Sequence, residues 1–460
     1  MRKEADSIGI MDVNDDAYYG VQSLRGAKNF TITGRHMHPA LIVALAKIKK
    51  AAAITNYESK RLEKDKADAI IQACDEIISG KLHNEFIVDF IQGGAGTSAN
   101  MNANEVIANR ASEILGGKKG DYTLIHPNDH VNMSQSTNDV YPSAGKIAMV
   151  TLLNSLIPEI ENLKSALSQK STEFDSVLKV GRTQLQDAVP MRLGQEFHAY
   201  ATAIGRDVRR VTYAKTVLHT LNMGATAIGT AINSDPYYLD NIVKNVSKVC
   251  GDEYVQSGDL FDGTSNLDGY VEVSGALKTL ATDLSKMCND LRLLSSGPKT
   301  GLAEILLPAK QNGSSIMPGK VNPVIPEVVS QVAFRVFGND ITVTIAAEAG
   351  QLELNAFEPV IFYSLIESIS MLTEAIKTLV NNCIVGITAN EKRCADLLKV
   401  SVAVVTALAP YIGYKKSAEI AKESLKTGVP VREIVLRDQL LSESRLNEIL
   451  DVKAMTEAKR

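Results

Sequence analysis

The polar stretch at residues 313–323 reads GSSIMPGKVNP and carries side chains suited to acid–base chemistry and to anion binding. Two Gly and two Pro in eleven residues, without apolar periodicity, predict a loop. Its chemically useful side chains are two hydroxyls, one cation and one amide: Ser314, Ser315, Lys320 and Asn322. Gly313 allows a ligand to approach the backbone. The stretch therefore predicts a loop that closes over an anionic substrate and carries a hydroxyl nucleophile or base.

The same stretch does not fit a nucleotide-binding loop. That motif needs four residues between its first Gly and a Gly-Lys pair, followed by Ser or Thr. Here five residues separate Gly313 from Gly319, and Val321 follows Lys320. A nucleotide site is therefore excluded at this position.

Three further polar stretches interrupt the chain, at residues 96–100 (GTSAN), 134–139 (SQSTND) and 181–187 (GRTQLQD). Each brings Ser, Thr, Asn or Gln to the end of a predicted helix, and helix capping alone explains any one of them. A helix that starts near Ser98, with Thr97 or Ser98 as its N-cap, also offers an anion site. Four such stretches form one site only if long helices bring distant ends together, including ends from different subunits.

Long amphipathic helices dominate the elements that must position these stretches. We expect helices at about 39–62, 65–78, 98–115, 138–174, 191–222, 266–295 and 324–350. Along 266–295 the apolar residues recur at alternating steps of four and three, which is a heptad pattern: Val273, Leu277, Leu280, Leu284, Met287, Leu291 and Leu294. Residues 362–383 repeat that pattern. Several rods of about 45 Å predict a helical bundle.

The predicted fold class is mainly all-α, with three domains. The boundaries that we expect are 1–137 for an N-terminal helical domain, 138–388 for the central long-helix bundle, and 389–460 for a small C-terminal helical domain. Helices shorten beyond about residue 388. Strand signals are limited to about 177–180 and to the first 35 residues.

Composition narrows the class of function. The 460 residues are 45% hydrophobic and 22% charged, with a net charge of −4, so no basic surface for nucleic acid or an anionic membrane is indicated. Five Cys without a C-x-x-C pair do not form a disulfide framework. No signal-peptide core and no run of eighteen apolar residues is evident. We therefore expect a cytoplasmic protein.

A pair of histidines raises the possibility of a metal site. His126 and His130 are four residues apart, as ligands on one helix face would be. Pro127 argues against such a helix, and no third ligand is evident. The sequence therefore predicts no metal, and no organic cofactor either, because no dinucleotide fingerprint is found between a strand and a helix.

All four polar stretches resemble the defining regions of the aspartase/fumarase superfamily of lyases, and the resemblance covers essentially the whole chain. It implies a homotetramer with a 20-helix core and active sites shared between three subunits. Within the superfamily the ammonia-lyase branch fits best, on residues 136–142 (STNDVYP), 224–230 (GATAIGT) and Gln184. Fumarases carry His where this chain has Gln184. Some aspartases carry that His as well, whereas others carry Gln.

The resemblance implies the reversible loss of ammonia from L-aspartate, a dicarboxylate, to give fumarate. It makes Ser314 the general base that removes the proton beside the side-chain carboxylate, through an aci-carboxylate intermediate. That carboxylate would be held by four side chains, Thr97, Thr137, Thr183 and Gln184, and by amides of the 313–319 loop. Lys320 and Asn322 would hold the other carboxylate, and Ser136 and Asn138 the amino group or nearby oxygens. Ser315 would contact the loop or the substrate.

Two alternatives stay open at this point. The first is a fumarase or another fumarate-forming lyase, against which Gln184 and residues 136–142 argue. The second belongs to a different class, a catalytically silent helical scaffold. Such a scaffold has no need of Ser314, Lys320 and Asn322.

Overall fold

The structure is a computed structural model that describes residues 1–457. The chain divides into two compact units. Unit 1 comprises Met1–Pro158, Arg209–Ala281 and Phe334–Thr373, and unit 2 comprises Glu159–Val208, Thr282–Ala333 and Glu374–Arg460. The three domain boundaries expected from the sequence stay a prediction.

The N-terminal part of unit 1 begins with a short hairpin and continues with helices. The hairpin pairs Arg2 with Val13 and Ala5 with Ile10. Its strands and the helices that follow are β1 (Arg2–Ala5), β2 (Ile10–Val13), α1 (Val21–Asn29), α2 (Pro39–Glu58), α3 (Lys64–Ile78) and α4 (Thr97–Ile114). The helices predicted at 39–62, 65–78 and 98–115 correspond to α2, α3 and α4. Helix α1 lies within the first 35 residues, where the sequence predicted no helix.

The middle of the chain carries the long helices and a second hairpin. The elements are α5 (Thr137–Glu173), β3 (Leu178–Thr183), β4 (Gln186–Arg192), α6 (Leu193–Thr216), β5 (Thr220–Leu221), α7 (Pro236–Cys250), β6 (Val255–Gln256), α8 (Asp262–Ser265) and α9 (Asp268–Leu294). The strand expected at 177–180 is β3, and its partner β4 was not anticipated. Helix α5 continues through Pro142 and Pro158. Strands β5 and β6 pair in parallel.

The remaining elements are two more long helices and a group of short ones. They are β7 (Ile305–Leu306), α10 (Val324–Glu348), α11 (Glu358–Asn382), β8 (Thr388–Ala389), α12 (Glu391–Val400), α13 (Val405–Ile412), α14 (Tyr414–Thr427), α15 (Val431–Arg437), α16 (Glu443–Ile449) and α17 (Val452–Thr456). Strands β7 and β8 are antiparallel. The mainly α-helical class is confirmed.

The heptad positions of α9 and α11 form buried stripes. Every seam residue of α9 named above is at most 5% exposed, and Phe362, Leu365, Ile369 and Leu372 of α11 are at most 1% exposed. Among the described residues, Glu358–Gly386 is long and apolar enough to cross a membrane. The bent pair of Glu391–Val400 and Val402–Ile412 is so as well if it is counted as one span. Since 67% of an apolar 18-residue window within Glu358–Gly386 is buried inside the protein, its apolar character is that of a core helix.

Candidate active site

In unit 1, the polar turn at residues 136–139 starts helix α5 and is closed by its own side chains. The Ser136 hydroxyl accepts a hydrogen bond from the Asn138 amide at 3.2 Å. In return, Asp139 Oδ1 accepts from the Ser136 amide at 2.9 Å. This is the reciprocal arrangement of a capping box, which satisfies amides that the first helical turn leaves free.

Neighbouring side chains of unit 1 orient Thr137 and Asn138. Asn100 Nδ2 of α4 donates to Thr137 Oγ1 at 3.1 Å. Asn138 Nδ2 donates to the Ala227 carbonyl at 2.8 Å, and the Asn138 carbonyl accepts from Asn222 at 3.0 Å. The two side chains are therefore held in position by the protein itself, and groups fixed in this way can bind a ligand at a lower entropic cost.

A buried lysine supports the turn from beneath. Lys49 of α2 is 0% exposed, and its ammonium donates to Asn132 Oδ1 at 2.8 Å and to Gln135 Oε1 at 2.9 Å. Asn132 Oδ1 also accepts from Asn100 at 3.2 Å. Burial lowers the pKa of Lys49 to about 7, and the charge of Asp139 opposes that shift.

Sequence reasoning missed Lys49, although a signal was available. Leu41, Leu45, Lys49 and Ala53 follow one another at steps of four on α2, and all four are buried. A lysine in the middle of such an apolar stripe is expensive to bury unless its ammonium is hydrogen-bonded. Its position therefore indicated a buried polar partner, but not which one.

Thr97 begins helix α4, and the expectation that Thr97 or Ser98 caps this helix was wrong. The N-cap is Gly96, with φ +83°. A Cβ on Gly96 would lie 2.3 Å from the Tyr141 ring, so no other residue fits there without movement. Thr97 Oγ1 donates to the Gly94 carbonyl at 2.7 Å and is exposed. Thr97 lies on the same helix end as Asn100, which contacts Thr137.

In unit 2, Thr183 and Gln184 lie at the tip of the β3–β4 hairpin. Thr183 pairs with Gln186, so the loop consists of Gln184 and Leu185 alone. Their φ angles are +54° and +64°, the left-handed values that a type I′ hairpin turn requires at both central positions. Two side-chain-bearing residues in this conformation cost of order 1 kcal/mol each. Both are exposed.

A buried ion cluster holds the base of this hairpin. Glu304 is 0% exposed and contacts Arg182 at 2.9 Å and Lys179 at 3.0 Å. Lys179 also contacts Glu196 at 2.6 Å. Because opposite charges surround the buried carboxylate, its desolvation is offset and β3 is fixed next to the tip.

The loop at residues 313–323 is closed by its own backbone. The Gly313 amide donates to the Lys320 carbonyl at 2.7 Å, and Asn322 Nδ2 donates to the Gly313 carbonyl at 2.9 Å. A Cβ on Gly313 would lie 2.7 Å from the Lys320 carbonyl and 2.9 Å from the Asn322 amide. Glycine is thus required for the close approach of the two ends of the loop.

Within this loop, Ser314 is surrounded by amides. Its hydroxyl oxygen accepts from the Ile316 amide at 3.2 Å and from the Met317 amide at 3.1 Å. Two donors aimed at one oxygen stabilise negative charge on it. Ser315 and Lys320 are exposed. Within residues 1–457, Lys320 has no carboxylate partner at ion-pair distance, so its charge is available to an anionic ligand.

The structure thus brings the predicted residues together in three groups. Unit 1 gathers Ser136, Thr137 and Asn138 in one turn, with Thr97 at the adjoining end of α4. Unit 2 places Thr183 and Gln184 at one hairpin tip. It gathers the fourth polar stretch, namely Ser314, Ser315, Lys320 and Asn322, in one loop.

His126 and His130 serve as capping groups. The Nδ1 atom of His126 accepts from the amides of Asn128 and Asp129, both at 3.2 Å, at the start of a single π-helical turn, Pro127–Val131. His130 Nδ1 accepts from the His126 amide at 2.8 Å. Across residues 1–457, no three His, Cys, Asp or Glu side chains gather in a group that could hold a metal ion.

Two family models match the chain. One, described as Lyase, matches residues 9–338, and the other, described as Fumarase C C-terminus, matches residues 404–457. The chain is 51% identical to an aspartate ammonia-lyase of Bacillus sp. over 456 residues, which are 99% of this chain and 97% of that protein. It is 53% identical to the aspartate ammonia-lyase of Helicobacter pylori, with 99% and 98% covered.

Solved structures agree with these relatives. A fumarate lyase:delta crystallin from Brucella melitensis, bound to cobalt, matches with a TM-score of 0.97 at 49% identity, covering 99% of this chain and 100% of that one. A class II fumarase from Schistosoma mansoni matches with a TM-score of 0.94 at 34% identity, covering 99% and 98%. The chain belongs to the aspartase/fumarase superfamily of lyases and, within it, to the aspartate ammonia-lyase family.

Proposed function

We propose that the protein catalyses the reversible deamination of L-aspartate to fumarate and ammonia, with Ser314 as the general base. The observation that carries the proposal is the pair of amides, from Ile316 and Met317, that donate to Ser314 Oγ. A serine hydroxyl is a weak base unless its oxyanion is stabilised, and these donors supply that stabilisation. The choice of L-aspartate as the substrate is supported by the similarity to relatives named aspartate ammonia-lyase.

The reaction begins with proton transfer from carbon. Ser314, as its oxyanion, removes the proton from the carbon beside the side-chain carboxylate. The electron pair of the broken C–H bond moves into that carboxylate, which becomes an aci-carboxylate with two negative charges. The pair then returns to form the carbon–carbon double bond. The C–N bond breaks, its electrons leave with ammonia, and fumarate remains.

Stabilising the doubly charged carboxylate needs many hydrogen-bond donors. We assign that task to Thr97, Thr137, Thr183 and Gln184, together with amides of the loop. Gln184 binds the carboxylate and transfers no proton, because an amide does not titrate in this range. Lys320 and Asn322 bind the other carboxylate, with the exposed ammonium supplying the charge. Ser136 and Asn138 contact the amino group or neighbouring substrate oxygens, and Ser315 contacts the loop or the substrate.

The proposal includes a homotetramer whose active sites combine residues from three subunits. Helix α10 supports it, because its outward face carries large apolar residues. Phe334, Ile341 and Ile345 are 60%, 61% and 61% exposed. A repeated apolar stripe of this kind is stabilised when it packs against a partner helix. A cytoplasmic location is proposed with it, since all five cysteines are free thiols.

Two alternatives are weaker. A fumarase, or another lyase that forms fumarate, shares the fold, as the 34% identical fumarase illustrates. This chain has Gln184 where fumarases carry a His, and this difference disfavours a fumarase. A catalytically silent scaffold would have no reason to keep Ser314 with its two amide donors.

The test is to mix the purified protein with L-aspartate or with L-malate and follow fumarate by its ultraviolet absorbance. We expect fumarate from aspartate and none from malate. Fumarate from malate alone would replace the proposal with the fumarase alternative. If neither substrate gives fumarate, the result would favour a lyase that acts on a larger adduct or a catalytically silent scaffold.

A further inference from the structure

Asp139 is a buried carboxylate next to the candidate site that the proposed mechanism does not use. It is 0% exposed. Besides the Ser136 amide on Oδ1, its Oδ2 accepts from the Gly224 amide at 3.0 Å and from the Thr226 amide at 3.2 Å. One carboxylate therefore connects the start of helix α5 to a segment about 85 residues away in sequence.

The segment that receives Asp139 is built to bind an anion. Gly224 has φ +92° and Thr226 has φ +56°, so the backbone turns its amides toward one point. The amides of these two residues converge on one carboxylate oxygen, whereas the Ala225 amide between them donates to the Asn222 carbonyl at 3.0 Å. The Ala227 carbonyl in the same segment accepts from Asn138 Nδ2 at 2.8 Å. The adjacent side chains of Asn138 and Asp139 thus hold this segment at two points.

We propose that Asp139 is a positioning residue for the deamination. Its ionised carboxylate clamps residues 136–138 to residues 224–227 and so keeps the Thr137 and Asn138 side chains where the substrate meets them. The inference rests on the function proposed above. It assigns a role to the GATAIGT stretch, which contributes no side chain to the proposed mechanism.

The charge of Asp139 depends on its surroundings. Burial raises its pKa to about 6, against the lowering effects of its three amide donors and of Lys49. The titratable groups that face it are Lys49 from α2 and Tyr238 from α7, and Lys49 in turn faces Cys74 of α3. As the pH falls through about 6, Asp139 gains a proton and loses one of its acceptor positions.

Protonation of Asp139 weakens the clamp, but it affects the free energy of unfolding in the opposite direction. The folded pKa lies above the ordinary value of 3.8, so the folded protein binds this proton more tightly than the unfolded chain does. The stability that Asp139 contributes is therefore largest at low pH and is lost as the pH rises through about 6. A neutral residue here removes the cost of a buried charge but weakens the clamp.

Glu105 provides a matched control outside the candidate site. It is 1% exposed and accepts from the amides of Gly20 at 2.9 Å, Gln22 at 2.9 Å and Ser23 at 3.0 Å. Like Asp139, it holds three backbone amides, and burial raises its pKa. Its partners lie at the start of α1, and none belongs to the candidate site.

The experiment compares the parent protein with Asp139→Asn and Glu105→Gln. For each, kcat and KM for L-aspartate are measured from pH 5.5 to 8.5, together with the melting temperature. Hydrogen exchange of the peptides covering 134–139 and 222–227 is followed by mass spectrometry. Asp139→Ser replaces Asp139→Asn if the latter does not fold.

We expect Asp139→Asn to lower kcat/KM by ~10²-fold at pH 7.5, the order expected for misplaced binding groups, with a melting temperature within about 4 °C of the parent. We expect the parent to lose activity as the pH falls through about 6, and this loss should be absent in the variant. Exchange at 222–227 should become faster. Glu105→Gln should keep kcat/KM within ~3-fold of the parent once the folded fraction is taken into account.

The inference is overturned if Asp139→Asn retains more than about a third of the parent kcat/KM. The same holds if the lower melting temperature of Asp139→Asn accounts for its whole loss of kcat/KM, in the same proportion as in Glu105→Gln. It is also overturned if exchange at 222–227 does not change. A parent that forms no fumarate from L-aspartate would instead reject the proposed function. In that case the exchange data alone decide whether Asp139 holds the turn.

Discussion

The turn that begins α5 and the loop before α10 both carry hydroxyl and amide groups that we assign to the proposed function, but they are held in different ways. The turn rests on buried side chains from other elements, among them Lys49, Asn100 and Asn222. The loop is held by bonds among its own residues, and Ile316 and Met317 at its tip are 84% and 47% exposed.

This difference predicts two kinds of contribution to the proposed catalysis. A group fixed by buried neighbours is ready to bind before the substrate arrives, but a change there also affects folding. A loop with few tertiary contacts can close over a bound substrate and exclude water, and changes in it affect the reaction more than the fold. Substitutions in the supported turn and in the self-contained loop test this contrast.

The largest effect is expected for Ser314→Ala. Removing a general base should lower kcat by ~10³-fold, while the melting temperature should stay close to that of the parent because the loop carries little of the core. Steady-state kinetics and thermal unfolding measure the two quantities. Ser315→Ala is the matched control and should lose ~10-fold or less. More than a tenth of the parent activity in Ser314→Ala would remove this residue as the base.

A smaller effect is expected for Lys320→Met. Loss of a charged contact to a substrate carboxylate should lower kcat/KM by ~10²-fold, mostly through KM, again without loss of stability. The control is Lys310→Met, which removes another exposed lysine ten residues earlier in the chain. Similar kinetics for the two variants would mean that Lys320 contributes no specific contact.

In the supported turn, Lys49→Met should change how stability depends on pH. The pKa of Lys49 lies below its ordinary value of 10.5, at about 7, so the unfolded chain binds that proton more tightly and stability rises with pH above 7. Between pH 7 and 8.5 the parent should gain about 1 kcal/mol per pH unit from this group. Lys49→Met should lose that gain.

Denaturant unfolding at several pH values measures this slope. Lys50→Met is the control, because Lys50 forms a partly exposed ion pair with Asp75 at 2.6 Å. If the free energy of unfolding of Lys49→Met depends on pH with the same slope as that of the parent, Lys49 does not titrate in this range.

The smallest effect is expected at the hairpin tip. Leu185 has φ +64° and is 69% exposed, so Leu185→Gly should relieve local strain and raise the free energy of unfolding by about 1 kcal/mol. Val189→Gly on the neighbouring strand β4, where the Val189 side chain is 46% exposed, should instead destabilise the protein. If Leu185→Gly is less stable than the parent, packing of the leucine outweighs its backbone strain.

Local patterns in the sequence were sufficient for much of this protein. The heptads of α9 and α11, the glycine- and proline-rich loop at 313–323 and the start of α5 after Ser136 follow from apolar periodicity and turn or capping chemistry. These signals depend on residues within a few positions of one another. The candidate side chains followed from motifs of the same short range, read together with the family resemblance.

Tertiary structure alone decided what supports those residues. Burial of Lys49 beneath Asn132, the attachment of Asp139 to the 224–226 amides and the ion cluster around Glu304 join residues that are far apart in sequence. The cap of α4 also depended on packing, because Gly96 is required by the Tyr141 ring beside it. Local sequence carries no record of which distant groups share a buried space, since that is set by how the helices pack.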